Sequence, residues 1–193
     1  MSRILAFAGS TRTGSVNARL VRAIARAARA AGADVTEIDL RDFAMPLYDG
    51  DTEATSGLPE NARRLMALMT THDAWLISTP EYNSSIPALL KNLIDWTSRV
   101  YLPDERPTQV YRGAKAMVVS ASPSPRGGSR GHAHLVSIFE AVGTEVLPER
   151  FNLAAAHEAF GEDDEPSTDG LKATLAGLGQ ALAAVPSRAA VGA

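Results

Sequence analysis

Short apolar runs alternate along this chain with stretches in which apolar residues recur every three or four positions. The run RILAFAG (3–9) has the length and composition of a buried strand. Val16, Leu20, Val21, Ile24 and Ala28 then recur at helical spacing, and Gly32 stops the pattern. ADVTEIDL (33–40) alternates with period two and reads as a second strand. Residues 41–59 read as a long loop carrying aromatic and acidic residues, followed by a helix over about 59–71. DAWLIST (73–79) is a third strand, stopped by Pro80, and Ile86, Leu89, Leu90, Leu93 and Ile94 mark the next helix. AKAMVVSAS (114–122) is a fourth strand; Leu135, Ile138, Phe139 and Val142 mark the helix after it. TEVLP (144–148) is a short fifth strand. Leu171, Leu175, Leu178 and Leu182 lie on a last helix, beyond an irregular acidic stretch.

Five short apolar strands alternating with helices predict an α/β fold with a parallel sheet buried on both faces. Right-handed crossovers make it a doubly wound, three-layer architecture. The length of 193 residues suits one domain, taken as 1–186, with 187–193 a frayed tail. In such folds ligands sit beyond the C-terminal ends of the strands, where the strand order reverses. The loops after strands one, three and four are therefore the places to look.

The first of these, GSTRTGSVN (9–17), runs from a strand into a helix N-terminus. Unpaired backbone N–H groups and the positive end of the helix dipole make such a loop an anion site. Ser10, Thr11, Ser15 and Asn17 add neutral donors and Arg12 a charged one. No Lys-Ser/Thr pair follows the second glycine, which disfavours a magnesium-nucleotide hydrolase. The glycine spacing is not that of a dinucleotide-binding turn either. Two readings stand side by side: a terminal monophosphate site, or a solvated turn with Ser15 as helix cap. The second loop carries Glu81, Tyr82, Asn83, Ser84 and Ser85 between Pro80 and Pro87. The backbone amides of Tyr82 and Asn83 are candidates to meet a planar ligand; the alternative is a helix entry capped by Ser85, with Pro87 just inside. The third, SASPSPRGGSRGH (120–132), has Gly127 and Gly128 for close backbone approach, or is a mobile surface turn.

Composition removes several classes. With no cysteine there is no disulfide, thiol catalysis or cysteine-bound metal. A net charge of −3 argues against nucleic acid as a partner, and no apolar run approaches the roughly 20 residues needed to span a membrane. The N-terminus does not read as a secretory signal, so the expected location is the cytoplasm. His72, His132, His134 and His157 form no local metal motif; His132 and His134 are expected to be solvated.

GSTRTGSVN after strand one and PEYNSSIPALLKNLIDW (80–96) after strand three resemble the NADPH-dependent FMN reductase family, and SPRGG after strand four supports the likeness. That family comprises quinone, azo-dye and chromate reductases on a flavodoxin-like fold. The resemblance spans about residues 3–150 and implies the strand order 2-1-3-4-5. It implies FMN as cofactor and NADPH or NADH as electron donor. Ser10, Arg12, Ser15, Val16 and Asn17 fall on the phosphate loop. Pro80, Glu81, Tyr82 and Asn83 fall on the segment lining the isoalloxazine, and Ser122 and Gly127 on the loop at the ring's other side. It further implies two-electron, ping-pong transfer to a small acceptor such as a quinone, azo compound, chromate or free flavin, with the chemistry on FMN rather than on a side chain. It implies a homodimer or homotetramer; Trp96, Tyr101 and Leu102 are read either as apolar contributors to such a contact or as ordinary core and loop packing. Lys91, Asn92 and Asp95 are expected to tie their helix to neighbouring loops or to a second subunit. Arg126 and Arg130 are read either as contacts to the nucleotide's extra phosphate or as surface charge. The stretch 157–170 reads as a solvated loop. A competing class is a flavodoxin-type electron carrier working with a protein partner, which would be more acidic than this chain.

Overall fold

The computed structural model describes residues 1–99, 110–161 and 163–187. The expected contacts of Tyr101 and Leu102, and the tail beyond Ser187, lie outside these residues. The elements are β1 (Arg3–Ala8), α1 (Val16–Ala30), β2 (Asp34–Glu37), α2 (Gly50–Ser56), α3 (Glu60–Thr71), β3 (Ala74–Ser78), α4 (Ala88–Thr97), β4 (Lys115–Ala121), α5 (Ser129–Ala141), β5 (Glu145–Val146), β6 (Phe151–Leu153) and α6 (Asp169–Ala183). All strand pairs are parallel, in the order β2-β1-β3-β4-β5, with β6 also on β4.

Period-two alternation within the central strands divides the core into two layers. Ile4, Ala6 and Ala8 of β1, with Leu76, Met117 and Val119, face Leu20, Ile24 and Ala28 of α1 and Leu175, Leu178 and Leu182 of α6. Leu5, Phe7, Trp75, Ile77 and Val118 face α3, α4 and α5 through Leu65, Met69, Leu90, Leu93, Leu135 and Phe139. Central strands buried on both faces explain why they read as unbroken apolar runs.

Two stretches differ from the sequence reading. The expected fifth strand is split. Lys115 and Ala116 pair with Glu145 and Val146, and Val119 to Ala121 pair with Phe151 to Leu153. Between these ladders residues 147–150 lie opposite 117–118, so two extra residues bulge out; Pro148, which has no N–H to donate, sits in the excursion. The expected long loop 41–59 contains a 3-10 turn at Leu40–Phe43 and helix α2, whose N-terminus is capped by Asp49 accepting from the Thr52 N–H at 2.8 Å. α2 buries no residue, so its sequence has no apolar stripe to announce it. Among the described residues no helix is long and apolar enough to cross a membrane.

Candidate active site

The loops after β1, β3 and β4 meet at the C-terminal edge of the sheet because parallel strands all end there. Asn17 joins them. It is buried in the first turn of α1, where its Oδ1 accepts from Ser78 Oγ at 2.8 Å and the Ala121 N–H at 3.0 Å. Its Nδ2 donates to the Ala121 carbonyl at 2.9 Å. The Asn17 side chain is thus spent on the ends of β3 and β4, and what it offers a ligand is its backbone N–H. Gly9 lies under α4: any Cβ there would run into the Leu90 side chain.

The loop after β1 leaves several of its donors without an acceptor among the described residues. Ser15 caps α1, its Oγ accepting from the Ala18 N–H at 3.4 Å. The N–H groups of Val16 and Asn17 belong to the first helical turn and have no intrahelical acceptor. Thr11, Arg12 and Thr13 are exposed, and the Arg12 guanidinium has no partner among the described residues.

The loop after β3 is a tight turn. Tyr82 and Ser85 exchange backbone hydrogen bonds of 2.9 and 3.0 Å around Asn83 and Ser84, both at positive φ (52° and 64°). Two consecutive non-glycine residues in the left-handed region mark backbone strain at this edge. The Tyr82 N–H is therefore committed to the turn and cannot meet a ligand, contrary to the sequence reading. The Tyr82 ring stands 53% exposed, unusual for so large a side chain. Ser85 does not cap the following helix either. α4 starts at Ala88 with Pro87 as the preceding residue, and Ser85 Oγ instead lies 2.8 Å from His134 Nδ1.

The loop after β4 is closed onto its neighbours. Gly127 and Gly128 have φ of 60° and 84°. A Cβ on Gly127 would lie 2.7 Å from the Asn152 backbone, so only glycine fits. Ser120 Oγ is 2.6 Å from both the Gly127 carbonyl and Asn152 Oδ1. Ser122 is tied by its N–H to the Leu153 carbonyl (3.0 Å) and by its hydroxyl to Ser124. Glu81 reaches across from the second loop: its Oε2 accepts from the N–H groups of Arg130 (2.8 Å) and Gly131 (3.0 Å). Arg130 Nη1 donates to Ser84 Oγ at 3.0 Å, while Arg126 stays exposed. The anion site at the start of α5 is thus filled by the chain's own carboxylate, and the one at the start of α1 is not.

Several expectations change. His132 is not solvated: it is 4% exposed, Nδ1 has no hydrogen-bond partner among the described residues, and burial pushes its pKa down despite a hydrogen bond with Asn152. His134 is exposed as expected. Trp96 lies fully in this chain's own core, its Nε1 donating to the Pro46 carbonyl at 2.8 Å. Asn92 ties α4 to residues 46–48, donating to the Pro46 carbonyl (2.9 Å) and accepting from the Tyr48 N–H (2.7 Å), whereas Lys91 and Asp95 pair with each other. The stretch 157–170 is not simply solvated. Ala159 and Phe160 are buried, and Asp164 is gripped by Arg19 and Arg22 of α1 at 2.5 and 2.6 Å. Three arginines on one face of α1 (19, 22 and 26) opposite an acidic run were the sequence signal for this docking. A cleft of about 400 Å³ between Thr11, Phe43, Met45, Leu89 and Leu93 lies beside the first loop rather than between the second and third.

The family model for NADPH-dependent FMN reductases matches residues 2–158. The chain belongs to the NADPH-dependent FMN reductase family. A quinone reductase of Escherichia coli (strain K12) is 35% identical over 136 residues, 70% of this chain and 68% of that protein. An NAD(P)H-dependent FMN reductase of Pseudomonas aeruginosa is 36% identical over 134 residues, covering 69% and 66%. The solved structure of FerB, a flavoenzyme NAD(P)H:(acceptor) oxidoreductase from Paracoccus denitrificans, is 28% identical and superposes with a TM-score of 0.78 over 96% of this chain and 97% of that one. This flavodoxin-like member of the FMN reductase family is an oxidoreductase that uses FMN, with NAD(P)H as donor. The donor set suits that cofactor: hydroxyls, two helix-start amides and an unpaired guanidinium at one loop, and an exposed aromatic ring at the next.

Proposed function

We propose that the enzyme passes two electrons from NAD(P)H to a quinone-class acceptor, and that the phosphate of FMN is held by the loop after β1. The observation that carries this reading is the contrast between two helix starts at the same sheet edge: Glu81 occupies that of α5, whereas among the described residues no group accepts from the Val16 and Asn17 N–H at that of α1, and the exposed Arg12 lies three residues before its cap. The names of the relatives support a quinone as acceptor.

In this reading the Val16 and Asn17 N–H groups, the Ser10 hydroxyl and Arg12 bind the phosphate dianion. Ser15 is spent on its cap and shapes the loop. Pro80, Glu81, Tyr82 and Asn83 border one side of the ring, and Ser122 and Gly127 the other. Asn83, whose N–H is not used by the turn, is the amide of that segment left to meet the ring's polar edge. When bound, FMN would supply the redox chemistry, accepting hydride and donating two electrons. The chain's part is to bind, orient and leave one face open beside Tyr82. An open face shared in turn by donor and acceptor gives ping-pong kinetics. The Asn83 N–H, free of its turn, would offer a fixed dipole to negative charge on a bound ring.

Replacing Arg12 tests the phosphate assignment. Arg12→Ala removes a charge-assisted hydrogen bond worth about 1.5–3 kcal/mol, so the FMN dissociation constant should rise roughly ten- to a hundredfold in a fluorescence titration. The side chain is exposed, so the melting temperature of the apoprotein should not move. An unchanged FMN affinity would place the phosphate elsewhere.

A further inference from the structure

We propose that Glu81 is a positioning residue: its carboxylate sets the spacing between the loops after β3 and β4, and through it the grip on FMN. The proposal rests on the flavin-site reading above and names the internal part of that site. Glu81 is the first residue after the buried Pro80, so its backbone is fixed by the end of β3. One oxygen, Oε2, accepts from two successive N–H groups in the first turn of α5, at 2.8 and 3.0 Å. A carboxylate at that place meets both unpaired donors and the positive end of the helix dipole.

The surroundings are shaped for this contact. A Cβ on Gly131 would lie 3.1 Å from Glu81 Cα and from the Ser85 carbonyl oxygen, so the helix and the turn touch backbone to backbone. A Cβ on Gly128 would lie 3.7 Å from the Glu81 Cβ. Two outer contacts flank the carboxylate, Arg130 Nη1 to Ser84 Oγ and Ser85 Oγ to His134 Nδ1. The strained Asn83–Ser84 turn thus hangs between Tyr82, which faces solvent, and a latch onto α5. A glutamate spans this gap; an aspartate is one methylene too short to reach both N–H groups, and a glutamine keeps one acceptor oxygen but loses the charge.

The test is FMN release from wild type, Glu81→Gln, Glu81→Asp and Glu81→Ala, followed by flavin fluorescence and the visible spectrum of bound FMN, with the melting temperature of each apoprotein. Wild type should bind FMN. Glu81→Asp and Glu81→Ala should release it tenfold or more faster, with the band shape of bound flavin shifted toward that of free flavin. Glu81→Gln should fall between. That ordering, with a change in the flavin spectrum, is not produced by a general loss of stability. Ser84→Ala removes only an exposed contact and serves if Glu81→Ala does not fold; it should speed release in the same direction by a smaller factor. Release rates and spectra equal to wild type in Glu81→Ala, or in Glu81→Gln and Ser84→Ala together, would overturn the proposal while leaving the flavin site standing. A wild type that does not bind FMN would overturn both.

Discussion

His132 is buried in the first turn of α5, where burial disfavours its charged form. The sign of the consequence is fixed. An unfolded histidine titrates near 6.5, and the folded one lower, so between those values the unfolded chain binds more protons. Stability contributed by neutral His132 is therefore full above about pH 6.5 and is lost as pH falls below it. The melting temperature should decline from pH 7 toward pH 5 more steeply in wild type than in His132→Gln; equal slopes would show that His132 is not the group responsible. Asn17 is held tightly by its buried neighbours. Its three hydrogen bonds are all buried, and Asn17→Ala would strand the Ser78 hydroxyl and both polar groups of Ala121. A loss of about 2–4 kcal/mol in urea unfolding is expected, and a loss below 1 would mean that water replaces the amide.

At the scale of elements, α1 and α6 cross with Gly179 against the Ala27–Ala28 backbone. A Cβ at Gly179 would lie 2.5 Å from the Ala27 carbonyl carbon. Alanine is the better helix former by about 1 kcal/mol, yet here it has to push two helices apart, so Gly179→Ala should destabilise by about 1–3 kcal/mol. A stabilised variant would contradict this crossing. The helices with an apolar stripe and the strands with a continuous apolar run were legible in the sequence, because burial imposes those patterns. α2 was not, since it buries nothing. The split of the last strand was not, since its two pieces are held by ladders to β4 rather than by local preference. For the site, loop position and residue type were legible, but hydrogen-bond direction was not. Nothing in the spacing of PEYN says that Glu81 faces the α5 amides, that the Tyr82 N–H is used by its own turn, or that Asn17 turns inward.

For the whole molecule, the core layer shared with α6 and the residues around Asp164 both pack on α1. Asp164 sits at positive φ (58°), held by Arg19 and Arg22. Burial pulls its pKa up, but the two guanidiniums outweigh that and hold it below the usual carboxylate range. The stabilisation is thus present above about pH 4 and is lost on further acidification. Because the same segment packs Phe160 beside Arg19, it fastens the outer side of the helix whose start is assigned to the phosphate. A fold of this kind brings the loops after β1, β3 and β4 to one edge of the sheet, where the proposal places FMN. The most direct measurement is anaerobic stopped-flow absorbance of the protein with bound FMN, mixed with NADPH and separately with NADH. Rapid bleaching of the flavin band by at least one of them, and reoxidation when a quinone is added, are expected. Bound flavin that neither nucleotide reduces would contradict the proposed function.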